Sequence, residues 1–220
     1  GWEVIGPSAI PFSDTYRQPH EMILDDIRQA QQAFVDAAVR ALDAGFEWLE
    51  IHGAHGYLIH SFYSPLSNHR TDQYGGSFEN RVRFLREITQ QVRAVTPDHL
   101  PLSVRLSCTD WVEGGWDSGD SVELSRLLKA DGIELVDCSS GGNSPQQKIP
   151  NGGYAGYQVP FSEAVRAGAQ VATAAVGLIT EPTHADEIIR NGRADLVYLA
   201  REFLRDPYWA LHAAQQVKHA

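Results

Sequence analysis

Methionine is nearly absent from this chain: Met22 is the only one in 220 residues. Cysteine is scarce as well. Cys108 and Cys138 are too few for a disulfide framework; they suit a reducing compartment and read as two buried thiols. No apolar run is longer than a few residues, which excludes a membrane-spanning helix. Basic residues are outnumbered, 18 Lys and Arg against 28 Asp and Glu, for a net charge of −10. With no basic run of five or more, neither nucleic acid nor an anionic membrane surface is an expected partner. The start, Gly1-Trp2-Glu3, has neither the basic region nor the apolar stretch of a secretory signal, so a cytoplasmic location is expected. It also has no initiator Met, and the expectation is a processed chain or a piece of a longer one. No G-x-G-x-x-G follows any strand-like segment, which weakens a dinucleotide-fold reading.

What is present is ordinary globular material, 43% apolar and 21% charged. A chain of this length buries roughly 70% of its unfolded surface in one core. Strand-like and helix-like segments alternate. After an irregular start with Pro7, Pro11 and Pro19, residues 21–44 carry apolar side chains at helical spacing (Ile27, Ala30, Phe34, Ala37, Ala38, Ala41), and Gly45 stops them. Residues 48–52 alternate as a strand. Ser77 is placed to cap a helix over 78–95, with Pro97 beyond its end. Strands are predicted at 102–107, 133–138, 171–176 and 196–200. Helices are predicted at 118–129, at about 160–167, from a Thr180 cap to Arg190, and from Asp206-Pro207 onward. A Gly/Ser/Asn/Pro-rich loop fills 139–153.

Strands separated by helices pair in parallel, as a doubly wound sheet or a (β/α)8 barrel. Polar residues on one strand face favour the barrel. Glu50 and His52 alternate with Leu49 and Ile51, and Ser103, Arg105 and Ser107 alternate with Val104 and Leu106. A strand covered by helices on both faces is apolar throughout; one facing a functional lumen need not be.

His52, His55 and Tyr57 fall at the end of the first predicted strand, the end at which barrels build active sites. Two imidazoles and a phenol there suit binding of a carbonyl or anion, with Tyr57 able to give a proton. A metal site on the two histidines, or core histidines, are the competing readings. Arg105 in mid-strand needs an acceptor-rich partner: an internal carboxylate, Glu50 or Asp137, or an electron-rich ligand. Gly177 and Arg201 follow the last two strands, where barrels commonly hold phosphate; a turn glycine and a surface salt bridge are the alternatives. Residues 68–77 form a long polar loop expected to cover the barrel mouth. Trp111, Trp116, Tyr154 and Tyr157 lie on other loops at that end.

The segments Glu50-Ile51-His52-Gly53-Ala54-His55-Gly56-Tyr57-Leu58, Phe62 to Asn68, Arg70 to Ser77, Asn80-Arg81, Val104-Arg105, Asp137 to Gly141, Val176 to Ile179, Gly192 to Asp195 and Arg201 run in order over nearly the whole chain. In this combination the sequence resembles the old yellow enzyme family of FMN-dependent ene-reductases, in its bacterial xenobiotic-reductase or thermophilic-like branch. The resemblance implies an incomplete TIM barrel over residues 1–220, family strands four to eight. Three earlier strands with their flavin contacts, and a C-terminal tail reaching a neighbouring subunit, have no counterpart in it. It implies reduction of the C=C bond of enone-type substrates, with FMN as cofactor and NADPH or NADH as transient reductant. His52 and His55 would bind the substrate carbonyl and Tyr57 would be the proton donor. Arg105 would face the flavin, while Ser139, Gly177, Ala200 and Arg201 would line the FMN phosphate and ribityl region. No resident metal is implied, and a homo-oligomer is expected. The alternative is a truncated, non-catalytic fragment that holds no FMN and self-associates through exposed sheet edges.

Overall fold

The computed structural model describes residues 3–218; Gly1, Trp2 and the end at Ala220 lie outside the described residues. Two short bridges, β1 (Ile5–Gly6) and β2 (His20–Glu21), pair in parallel ahead of helix α1 (Leu24–Asp43). The central sheet has five parallel strands: β3 (Leu49–Gly53), β4 (Leu102–Ser107), β5 (Leu135–Ser139), β6 (Ala172–Ala175) and β7 (Leu196–Val197). Their order in space is their order in the chain. Between them run α2 (Leu58–Tyr63), α3 (Phe78–Val95), α4 (Ser118–Ala130), α5 (Val159–Ala169) and α6 (Pro182–Arg190). Helices α7 (Arg201–Arg205) and α8 (Trp209–Gln216) close the chain.

Local chemistry explains most boundaries. The Ile23 N–H donates to Asp26 Oδ2 (2.9 Å), and Asp25 and Asp26 sit in the first turn of α1, where carboxylates favour the helix dipole. Ser77 caps α3 as expected, its Oγ accepting from Asn80 N–H. Along α3, Val82, Leu85, Ile88, Thr89 and Val92 are buried at helical spacing. Asp117 caps α4 through Asp120 N–H (3.0 Å).

Three expectations change. Thr180 does not cap α6. Glu181 is the N-cap, held extended (φ −87°, ψ 128°) because it precedes Pro182, and Thr180 instead gives its carbonyl to Trp209 Nε1 (2.8 Å). The last strand is two residues long rather than five: Gly177, at φ +126°, turns the partner chain away after β6, and α7 begins at Arg201. Within the expected connection after β3 lies an additional helix, α2, whose Ile59, His60, Phe62 and Tyr63 are all buried.

The side chains of the sheet separate by parity. On the outer face Ile51, Val104, Leu106, Val136 and Cys138 pack beneath the helices with Phe84, Leu85, Ile88 and Leu128. Both thiols are free and buried. The inner face carries Glu50, His52, Ser103, Arg105, Ser107, Asp137 and Ser139. Register aligns His52, Arg105, Asp137, Ala174 and Leu196 in one row across all five strands.

Candidate active site

The carboxyl end of β3 turns sharply through His55 (φ +60°) and Gly56 (φ +76°) into α2. That turn brings the three residues of the sequence cluster together. The His52 and His55 rings are 5.3 Å apart between centroids, and His52 and Tyr57 are 5.5 Å apart. The turn is fixed from three sides. Ser107 Oγ accepts from His55 N–H (2.9 Å). Gly56 N–H donates to Nδ1 of His60 (2.9 Å). The backbone of Gly56 lies against that of Gly142: a Cβ on Gly56 would overlap the Gly142 carbonyl oxygen, and one on Gly142 would meet His55 Cα at 2.6 Å.

His60 is fully buried, and because its Nδ1 accepts from Gly56 its proton is on Nε2, which faces Asp110 Oδ1 at 2.9 Å. Asp110 also accepts from Ser64 Oγ (2.6 Å) and Trp116 N–H (2.8 Å). Burial raises the Asp110 carboxyl, but the donors from His60, Ser64 and Trp116 outweigh it and hold the group below the usual carboxylate range. His60 and Asp110 carry no motif signal; only the fold shows that they brace the turn.

Burial, with the Arg105 cation second, lowers His52 and takes His55 down to about 4. Both imidazoles are therefore neutral near pH 7, each with one N–H donor. His55 Nε2 is 2.7 Å from Ser139 Oγ. Ser139 and Ser140 both face Gln158 Oε1 (3.4 and 2.5 Å), and Gln158 Nε2 donates to Val176 O (3.1 Å). Gln158, distant in sequence, thus ties the ends of β5 and β6 together, a link no local pattern reveals. Tyr57 is 66% exposed.

Arg105 lies with its Nε 2.9 Å from Asp137 Oδ2, so the internal-carboxylate partner is present. The contact is an ion pair out of hydrogen-bond alignment: the buried Nε and both Asp137 oxygens have no hydrogen-bond partner. Asp137 holds Arg105 through Nε, which leaves the terminal nitrogens of the guanidinium for a ligand. Beneath it, Glu50 Oε2 accepts from Ser103 Oγ (3.1 Å), which accepts from Trp48 Nε1 (2.9 Å).

Of the other expected cofactor contacts, Ser139 is buried against His55, at the carboxyl end of β5. Gly177 follows β6, and a Cβ there would meet Gln158 Nε2 at 3.0 Å and the Tyr157 ring at 3.2 Å. Ala200 and Arg201 are exposed at the start of α7, past β7. All lie on the carboxyl side of the sheet, but no bond joins the Ala200-Arg201 pair to the histidine cluster among the described residues. A cavity of about 900 Å³ opens beside the cluster. It touches His55 and Tyr57, and its other walls come from within residues 4–19 and 56–67, from Val112 and from residues 142–146; it does not include His52, Arg105 or Arg201. Among the described residues no three His, Cys, Asp or Glu side chains converge for a metal ion, and no helix is long and apolar enough to cross a membrane.

Residues 4–220 match the NADH:flavin oxidoreductase / NADH oxidase family. The chain belongs to that family of oxidoreductases. It is 54% identical over 215 residues to an NADPH dehydrogenase of Geobacillus sp. (strain WCH70), and 48% identical over 217 residues to that of Bacillus subtilis (strain 168). In each case 98% of this chain aligns with 62% of the relative, so the chain spans less than two-thirds of these proteins. Among solved structures it is similar to a 2-naphthoyl-CoA reductase complex (TM-score 0.89, 30% identity, 97% of this chain and 33% of that one). It is also similar to the old yellow enzyme homologue of Zymomonas mobilis (TM-score 0.77, 26% identity, 100% and 62%). The five-stranded parallel sheet is thus part of a barrel of the flavin-linked oxidoreductase type.

Proposed function

We propose that the chain, a single partial-barrel domain, carries the substrate-binding and much of the cofactor-binding machinery of an FMN-dependent NAD(P)H oxidoreductase acting on α,β-unsaturated carbonyl compounds. The observation that carries this reading is the pair of neutral imidazoles beside an exposed phenol at the carboxyl end of β3. Arg105, with its hydrogen-bonding capacity unspent, lies in register with His52 on the next strand.

The residues present fit a flavin. Arg105, ion-paired to Asp137 through Nε, offers its terminal nitrogens to an electron-rich ring edge, and Gly177 offers a backbone stretch that side chains cannot crowd. FMN, when bound, supplies the hydride chemistry, and NADPH or NADH restores it. The protein does the rest. His52 and His55 donate N–H bonds to the carbonyl oxygen and stabilise the charge that develops there. With the Ser139 hydroxyl turned to Nε2 of His55, 2.7 Å away, rather than to Gln158, the His55 proton sits on Nδ1 and is offered to the substrate. Tyr57 delivers its phenolic proton to the α-carbon. Ser139, Gly177, Ala200 and Arg201 would hold the ribityl and phosphate groups of FMN. The nicotinamide nucleotide enters the same mouth, which accounts for a chain without a dinucleotide fingerprint.

The test is a visible-spectrum titration with FMN, followed by anaerobic reduction with NADPH and reoxidation by a cyclic enone. A red-shifted, structured flavin band and enone-dependent reoxidation are expected. A protein that leaves the FMN spectrum unchanged overturns the reading. One observation favours a second reading, a non-catalytic, self-associating chain: the outer edges of β3 and β7 have no partner strand among the described residues. A flavin-free oligomer on sizing chromatography is its signature.

A further inference from the structure

Arg105 and Asp137 face each other across β4 and β5, one register row with His52. Asp137 is 0% exposed, and among the described residues neither of its oxygens has a hydrogen-bond partner. A buried carboxylate left this way is costly. Its neighbours offer little compensation. Across β6 the facing residue is Ala174. Glu50 on β3 repels it, the phenol of Tyr198 lies just past β7, and among the described residues Arg105 is the cation acting on it. Arg105 is in the same state from the other side: its Nε touches Asp137 and has no hydrogen-bond partner among the described residues.

We propose that Asp137 is the positioning residue for Arg105. Its charge draws the Nε edge of the guanidinium down onto the sheet and leaves the two terminal nitrogens for a ligand above. The hold is ionic, so it follows the charge of Asp137. Burial, opposed by Arg105 and aided by Glu50, raises this carboxyl to about 7. Arg105 is therefore held firmly when the carboxyl is ionised and released when it takes up a proton. That Arg105 then meets a flavin rests on the function proposed above; that Asp137 governs Arg105 does not.

The experiment separates the two. In the flavin-free chain, NMR follows the Asp137 carboxyl carbon and the Arg105 Nε–H signal against pH, with Arg105→Lys assigning the latter. The two signals are expected to titrate with one midpoint. In Asp137→Asn, which keeps the side-chain volume, the Nε–H signal is expected to shift and to lose its pH dependence. In Arg105→Gln the Asp137 midpoint is expected to move up. An Nε–H signal unaffected both by pH across the Asp137 titration and by Asp137→Asn overturns the proposal. FMN is the second probe. Above pH 8, Asp137→Asn is expected to weaken FMN binding by about tenfold, the scale of one charge-assisted contact. Below pH 6 the variant and the wild type should converge, because a protonated carboxyl resembles the amide. A loss of affinity equal at both pH values overturns the ionic hold. A chain with the shared titration but no FMN binding overturns the flavin reading and leaves Asp137 in charge of Arg105.

Discussion

The two faces of the central sheet are built from the same five strands, yet they obey different rules. On the outer face Ile51, Val104, Leu106, Val136 and Cys138 are buried and apolar, and Thr173 Oγ1 is the one buried hydroxyl there without a partner among the described residues. One residue along each strand, the inner face presents two carboxylates, a guanidinium, an imidazole and three serines. An ion pair without hydrogen bonds, half-buried Arg105 with buried Asp137, sits at its centre. The outer face holds the fold by removing apolar surface from water. The inner face gives up stability to keep Asp137 and the Arg105 Nε without hydrogen bonds, which a purely structural sheet has no cause to do.

Mutations can break this contrast or sharpen it. The largest effect is expected where polar groups are made structural. Asp110→Ala leaves His60 buried and unpaired and frees the turn that carries His55 and Tyr57, at a cost of about 4 kcal/mol in urea unfolding. Next is the outer face: Leu106→Ala should cost about 3 kcal/mol, as apolar truncations do where the core cannot collapse. If it costs less than Asp110→Ala only because both variants unfold, the contrast is lost; intact native spectra at low denaturant exclude that case.

The inner face should answer to pH. The Asp137 carboxyl is raised when folded, so its stability contribution is complete below the unfolded carboxylate pKa and is lost as pH rises through about 7. Wild type should therefore lose stability relative to Asp137→Asn between pH 4 and pH 8, on the order of 2 kcal/mol once partial solvent screening at Arg105 is allowed for. A constant difference across that range would refute this. The smallest stability effect is at the mouth. Tyr57→Phe should stay within about 0.5 kcal/mol of wild type, as exposed substitutions do. Enone reduction in the flavin-loaded protein should nevertheless slow by about a hundredfold, the scale of a lost proton donor.

The sequence made the alternation of elements, the Ser77 cap and the parity of β3 and β4 legible, because each is a local pattern of a few residues. The cluster of His52, His55 and Tyr57 was legible for the same reason. The braces behind it were not. His60 meets Asp110 across 50 positions, and Gln158 reaches both Ser139 and Val176 only after three strands have paired. Helix α2 hid behind loop-like residues, and the pairing of Glu181 with Pro182 moved a cap by one position. Arg105 was visible as an inward cation, but which carboxylate it meets was decided by register, which puts Asp137 beside it and Glu50 one pleat lower.

The order of strands in the sheet has a consequence for how the chain comes to be folded. Each strand from β4 to β7 pairs with the one made just before it, so these five strands can add to one another in the direction of synthesis. At every stage of that growth the nascent sheet exposes one fresh row of backbone donors and acceptors, and the helix that follows each strand is the first cover available for its outer face. A ribosome pause after β5 would leave Asp137 beside Arg105 before β6 and Tyr198 have arrived. This ion pair without hydrogen bonds is thus assembled early, while water still reaches it.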